Sequence, residues 1–187
     1  DWALQRTLLE ICLFPEPMGH PPPRVGQVPG DLKKTLQADR LDAISSISSR
    51  LEELAVAGTT TDVSWLYFHT HPTTRRKYPS PMDHGLYSGI AGIGLFYLSL
   101  FKVSGQPVFL SRMDQVLYSL EQRFGFFKTD LTVSAYHGLG AFIYLLVNRR
   151  QITGDASHDE RIAGLLAQLI EVPPENYEFD FLGGCCG

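Results

Sequence analysis

The groups able to do acid–base, thiol or metal chemistry fall at a few places in the 187 residues. Asp180 stands just ahead of Gly183-Gly184-Cys185-Cys186-Gly187, so a carboxylate and two thiols share one short stretch. A thiolate is both nucleophile and metal ligand, and a positioned carboxylate can move protons. A carboxylate at a helix mouth can equally accept backbone N–H bonds as an N-cap. Cys185 and Cys186 are adjacent, which is not chelate spacing, and they read as small residues packed within a glycine motif. His69 and His71 alternate after a strand, a spacing that puts two imidazoles on one face. With no third ligand suitably placed, they read as exposed turn histidines. His137 precedes Gly138, His84 and His158 suit surface and capping positions, and His20 lies among prolines, so spacing names no catalytic histidine.

The elements that must position these groups are mostly helical. Residues 1–13 carry Trp2, Leu4, Leu8, Leu9 and Ile11 at helical spacing. Six prolines between Phe14 and Gly30 then fix φ and remove backbone donors, which predicts an extended linker. From Leu32 to Ala57, Leu36, Leu41, Ile44, Ile47, Leu51 and Leu54 predict an amphipathic helix, with Gly58 as its stop. Val63 to Phe68 reads as a strand and Pro72 to Pro81 as a turn-rich return, together a small β-hairpin near 63–81.

The second half repeats itself. Gly85-Leu86-Tyr87-Ser88-Gly89-Ile90-Ala91-Gly92 leads into an apolar helix over Ile93 to Phe101, and Tyr136-His137-Gly138-Leu139-Gly140-Ala141 leads into another over Phe142 to Val147. Leu182-Gly183-Gly184-Cys185-Cys186-Gly187 begins a third copy. The aligned glycines at 89, 138 and 184 are 49 and 46 residues apart. Amphipathic helices over Phe109 to Phe124 and Ser157 to Glu171 lie between, the second with Ser157 and Glu160 spaced as a capping box. Two helices per period is an α-repeat signature. An apolar helix alternating with an amphipathic one suits two concentric layers, the inner buried and the outer wet on one face. Phe96, Tyr97, Phe101, Phe142 and Tyr144 on the apolar helices are expected to pack in that core.

Composition sets the class. The chain is 44% hydrophobic and 19% charged, with a net charge of −4 and no Lys/Arg stripe, which argues against a nucleic-acid surface. Arg75, Arg76 and Lys77 form the densest basic cluster and read as solvated surface. Three cysteines, two of them adjacent, make no disulfide framework, so a reducing, cytoplasmic setting is expected. The apolar run Ile90 to Phe101 is too short to span a bilayer, and the opening Asp1-Trp2 has neither the basic nor the apolar region of a signal peptide. A helix-like start on Asp1 and a stop inside a glycine turn predict an interior piece of a longer protein.

The glycine motif at 85–96 resembles the first such motif of the lanthionine cyclase family, and the later copies follow in the same order. Asp62-Val63-Ser64-Trp65-Leu66 and the helix over 32–57 are similar to the entry into the cyclase domain of bifunctional type II lanthipeptide synthetases. Residues 1–13 resemble the end of their dehydratase domain. The resemblance implies an all-α fold, part of an α/α toroid built as a double-layer barrel of helical hairpins. It implies residues 1–31 as dehydratase end plus linker and 32–187 as the first part of the toroid. It also implies a cyclase that adds the Cys thiols of a ribosomal precursor peptide to dehydroalanine or dehydrobutyrine, giving thioether rings. The family's cyclase carries zinc, and the upstream dehydratase uses ATP and magnesium.

Carried over residue by residue, the third motif gives Asp180 an acid/base role. The family's zinc ligands are a Trp-Cys motif and a Cys-His-Gly motif in later repeats, and the 187 residues contain neither. The family's active-site histidine belongs to its fourth motif, whereas His137 falls in the second. Alone, the fragment is expected to lack activity. A different reading is a non-catalytic α/α-repeat scaffold binding peptide or glutathione-type thiols. A third, an α/α-toroid glycosidase, needs two placed carboxylates, and Asp180 has no evident partner.

Overall fold

The computed structural model describes residues 30–126, 133–134 and 136–171. Asp180, Cys185 and Cys186, the 1–13 segment and most of the proline-rich linker lie outside the described residues. The chain divides into two compact units, Asp1–Ser49 and Arg50–Gly187. What is described of the first is helical: α1 runs from Gly30 to Leu54, its last turn belonging to the second unit.

The helix expected to reach Ala57 ends three residues early. Val56–Ala57 (β1) instead pairs antiparallel with Val63–Ser64 (β2), in register Val56↔Ser64 and Ala57↔Val63. A β-branched residue and a nearby strand partner outweigh one more helical turn. Gly58 serves the turn between them, its N–H donating to the Asp62 carbonyl at 2.9 Å. Leu66–Thr70 (β3) and Lys77–Pro81 (β4) form the expected hairpin.

Four further helices follow: α2 (Ile90–Ser104), α3 (Pro107–Phe126), α4 (Leu139–Thr153) and α5 (Asp159–Glu171). The repeat read from the glycines is also a repeat of structure. α2 and α4 each have 15 residues, begin after an extended, uncapped glycine (Gly89, Gly138) and stop at a left-handed one (Gly105, φ 68°; Gly154, φ 72°). The stopping N–H groups donate back to the carbonyls of Phe101 and Arg150, closing each last turn.

α2 packs on α3 and on α4, and α4 packs on α5. Gly94 lets α2 lie this close to both neighbours: a Cβ there would stand 2.9 Å from Leu145 Cδ2 of α4 and 3.0 Å from Val116 Cγ1 of α3. One core results, holding Ile90, Tyr97 and Leu98 of α2, Met113, Val116 and Leu120 of α3, and Phe142, Leu145 and Leu146 of α4. α4 is buried on nearly every side, whereas α5 fully buries only Leu165. α4 and α5 thus differ as expected of an inner and an outer helix, whereas α2 and α3 contribute about equally to the core. Tyr97 and Phe142 are fully buried as expected, while Phe96, Phe101 and Tyr144 are half-buried.

Polar links tie the smaller elements to this core. The Ser119 hydroxyl of α3 accepts from the Val63 N–H and donates to the Val63 carbonyl, both at 2.8 Å, docking β2. Trp65 is buried, and its indole N–H donates to the Leu51 carbonyl at 2.8 Å, satisfying an acceptor in the last turn of α1. Glu52 in the same turn receives the Tyr97 hydroxyl at 2.7 Å and the Arg112 guanidinium. Burial, and then the hydrogen bond to Glu52, push the Tyr97 phenol up. Arg149, buried toward the end of α4, holds Asp114 at 2.8 Å and Asp155 at 2.7 Å.

The capping box expected at Ser157 does not form, and α5 begins at Asp159. Asp155 takes both the Ser157 N–H and its hydroxyl, at 2.9 Å each, so that hydroxyl turns away from the helix.

Candidate functional site at the helix mouths

The starts of α2 and α4 are built as a pair. The Leu86 N–H donates across to the Tyr136 carbonyl at 2.6 Å, joining the first glycine motif to the second. Gly85 is the point of closest approach. A Cβ there would lie 2.3 Å from the Tyr136 carbonyl oxygen and 3.2 Å from His137 Nδ1. Glycine at this position is therefore required by the backbone of the neighbouring repeat. On the second mouth, the buried Ser134 hydroxyl accepts the N–H groups of Tyr136 and His137 at 3.1 and 3.2 Å, and its carbonyl accepts Gly138 N–H at 3.0 Å.

Asp83 organises the first mouth. Its carbonyl accepts the Ile90 N–H at 2.8 Å, and its carboxylate accepts the His84 N–H at 2.7 Å and lies 2.7 Å from His84 Nδ1. His84 in turn sets its ring edge against Phe124 of α3, centroids 5.1 Å apart. Arg123 reaches the same region, bonding the Met82 carbonyl and, at 3.0 Å, Ser64 Oγ. The hydrogen bond from the His84 side chain, reinforced by the charges of His84 and His137, holds the Asp83 carboxyl down to about 2 from an ordinary 3.8. A carboxylate depressed on folding stabilises the fold fully above its unfolded value and loses that contribution as pH falls through its folded one. Wild type should accordingly lose stability between about pH 4 and pH 2, a loss that Asp83→Asn flattens. Urea midpoints followed by circular dichroism across that window check it, and parallel acid limbs would refute it.

Tyr87 is an open aromatic side chain at the pair of mouths. It is 74% exposed, and its ring stands edge-on to His137 with centroids 6.2 Å apart. Neither Asp83 nor Tyr87 was singled out by type and spacing. In the register of the aligned glycines, Asp83 stands six residues ahead of Gly89 and Asp180 four ahead of Gly184, so no shared spacing marks Asp83.

His71 lies in the hairpin turn as read, whereas His69 lies within β3, and His20 is outside the described residues. His71 Nδ1 lies 3.3 Å from Thr73 N and 3.2 Å from Thr74 N within the hairpin turn, and His69 packs between Tyr67 and Tyr78. His158 sits at the N-terminal boundary of α5, its carbonyl accepting Ile162 N–H at 2.9 Å. Among the described residues, no three His, Cys, Asp or Glu side chains come together as a metal-holding group. They therefore supply no donor set for zinc. Among the same residues, no helix is long and apolar enough to cross a membrane.

The lanthionine synthetase C-like protein family matches residues 80–187, a span containing both paired mouths and all of α2 to α5. The chain belongs to that family. No curated protein matches it.

Proposed function

We propose that this chain is the opening part of a lanthionine cyclase domain in a type II lanthipeptide synthetase. Residues 1–31 would then be dehydratase end and linker, and 32–187 the first hairpins of an α/α toroid. The observation that carries the reading is the family match over 80–187, because it falls on two successive helical hairpins with joined glycine mouths. In the complete protein, thiols of a precursor peptide add to dehydroalanine or dehydrobutyrine. Zinc would lower the thiol pKa there, held by residues outside these 187, and ATP with magnesium would serve the dehydratase. Asp180, at the mouth of the third repeat, would exchange a proton with the reacting peptide. The mouths of α2 and α4 would hold neighbouring wall in register, with Tyr87 facing the peptide.

The test uses the complete protein and a dehydrated, cysteine-bearing precursor peptide. Ring closure leaves mass unchanged and removes a thiol, so thiols still alkylated by N-ethylmaleimide report the reaction. Asp180→Asn should slow thiol loss by about 10²-fold, the lower end of what a general acid or base contributes. Thiol loss no faster than without protein, with peptide or glutathione still bound, would replace this reading with the scaffold one. An unchanged rate in Asp180→Asn would remove that residue from the mechanism.

A further inference from the structure

The β3–β4 hairpin is a feature that the cyclase reading leaves without a task. Its register pairs Leu66 with Pro81, Phe68 with Pro79 and Thr70 with Lys77, so these six share one face. That face is bare: Leu66 is 59% and Phe68 70% exposed, and both prolines are exposed. The opposite face is occupied by its own side chains, the Tyr67 hydroxyl 3.0 Å from His69 Nδ1 and the His69 ring 5.4 Å from Tyr78.

The backbone is open on one edge as well. Proline has no N–H, so the Leu66–Pro81 and Phe68–Pro79 pairs are the non-hydrogen-bonded ones of the ladder. The peptide groups of Leu66 and Phe68 therefore point away from β4, along an edge with which no other described strand pairs. β4 by contrast is blunted by its prolines.

Charge selects what can lie there. From Val63 to Met82 the chain has no Asp or Glu, although its net charge is −4. Arg75, Arg76 and Lys77 gather at the tip, and among the described residues none of them is ion-paired. The tip is held in shape by the Arg75 N–H donating to the His71 carbonyl at 3.0 Å and the His71 N–H to the Arg76 carbonyl at 2.9 Å.

We propose that the β3 edge and the Leu66–Phe68 face dock an extended peptide segment in which acidic side chains alternate with apolar ones. The free edge bonds the peptide main chain, as in other strand additions. The apolar face takes alternate side chains, and the tip attracts the acids. A second copy of this chain would bring cations to cations. A lipid surface would use the charge and apolar face but not the edge.

The probe is a fluorescein-labelled peptide of alternating glutamate and valine, titrated with the full chain and followed by anisotropy. Binding is expected, weakening about tenfold in Arg76→Glu/Lys77→Glu and about tenfold in Phe68→Ser, with the charge variant also losing salt dependence. All three positions are exposed, and unchanged circular dichroism melts establish that the variants fold. A lysine–valine peptide should not bind. Equal affinity for both peptides, wild-type affinity in the variants, hairpin-dependent self-association in sedimentation, or binding to anionic vesicles without peptide binding would each overturn the proposal.

Discussion

Phe142→Ala is expected to lower the free energy of unfolding by about 3–5 kcal/mol, the range for emptying a buried phenylalanine site. Phe142 is fully buried on α4 and lies flat against Phe124 of α3, ring centroids 5.1 Å apart and planes within 7°. The Arg161 guanidinium of α5 stands 5.8 Å from the centre of the same ring. One side chain thus contacts the helix before it and the helix after it, and neither can close the gap without moving against the rest of the core. Phe142→Leu should cost less, about 1.5 kcal/mol, because most of the volume stays. Urea unfolding followed by circular dichroism measures both. A loss below about 1 kcal/mol for the alanine variant would mean that α3, α4 and α5 do not share this core.

Gly85→Ala is expected to cost about 3 kcal/mol, the upper end for overpacking, although it adds a single methyl group. The obstructing atom is a backbone oxygen, that of Tyr136 at 2.3 Å from the added carbon, and backbone cannot rotate aside. Relief requires parting the two mouths, which would also stretch the Leu86 N–H to Tyr136 carbonyl bond. The same substitution at Gly164 serves as contrast. Gly164 lies within α5 with nothing inside 4 Å of an added Cβ, so alanine there should raise stability by about 0.5–1 kcal/mol through helix propensity. Opposite signs in urea midpoints are the expected outcome. A neutral Gly85→Ala would show that the two motifs are not in contact.

Much of the helical layout was legible because it depends on local order. A glycine cluster followed by an apolar run marks α2 and α4, and the wet faces of α3 and α5 mark their followers. The structure extends α2, α3 and α4 beyond their expected ends, a matter of end geometry that apolar periodicity does not register. Two boundaries were misplaced for reasons that are not local. Val56–Ala57 left the helical pattern because Val63–Ser64 was there to pair with, and Ser157 gave its hydroxyl to Asp155 instead of capping α5.

The candidate site was legible only in part. The glycines announced themselves by spacing, but their physical reason, a carbonyl from the next repeat pressed against Gly85, is a long-range contact. Asp83 gains its place from His84 and the Ile90 N–H beside it and Tyr87 from His137 of the next repeat, neither of which apolar periodicity registers. Leu66 and Phe68 looked like ordinary alternating strand residues. Whether such residues are covered depends on what packs above them, and composition does not encode that. Asp180, the residue favoured by resemblance, lies outside the described residues.

The matched starts and stops of α2 and α4 bear on ancestry. Gly89 and Gly138 are 49 residues apart, and so are Gly105 and Gly154. Each hairpin therefore carries its own opening and closing signals, and the backbone seam between hairpins is made by the motifs themselves. A coding segment of that length, copied in tandem, would deliver a ready-made neighbour with a compatible seam. Insertions inside a helix would break it, while the gain or loss of a whole hairpin would leave every other seam intact.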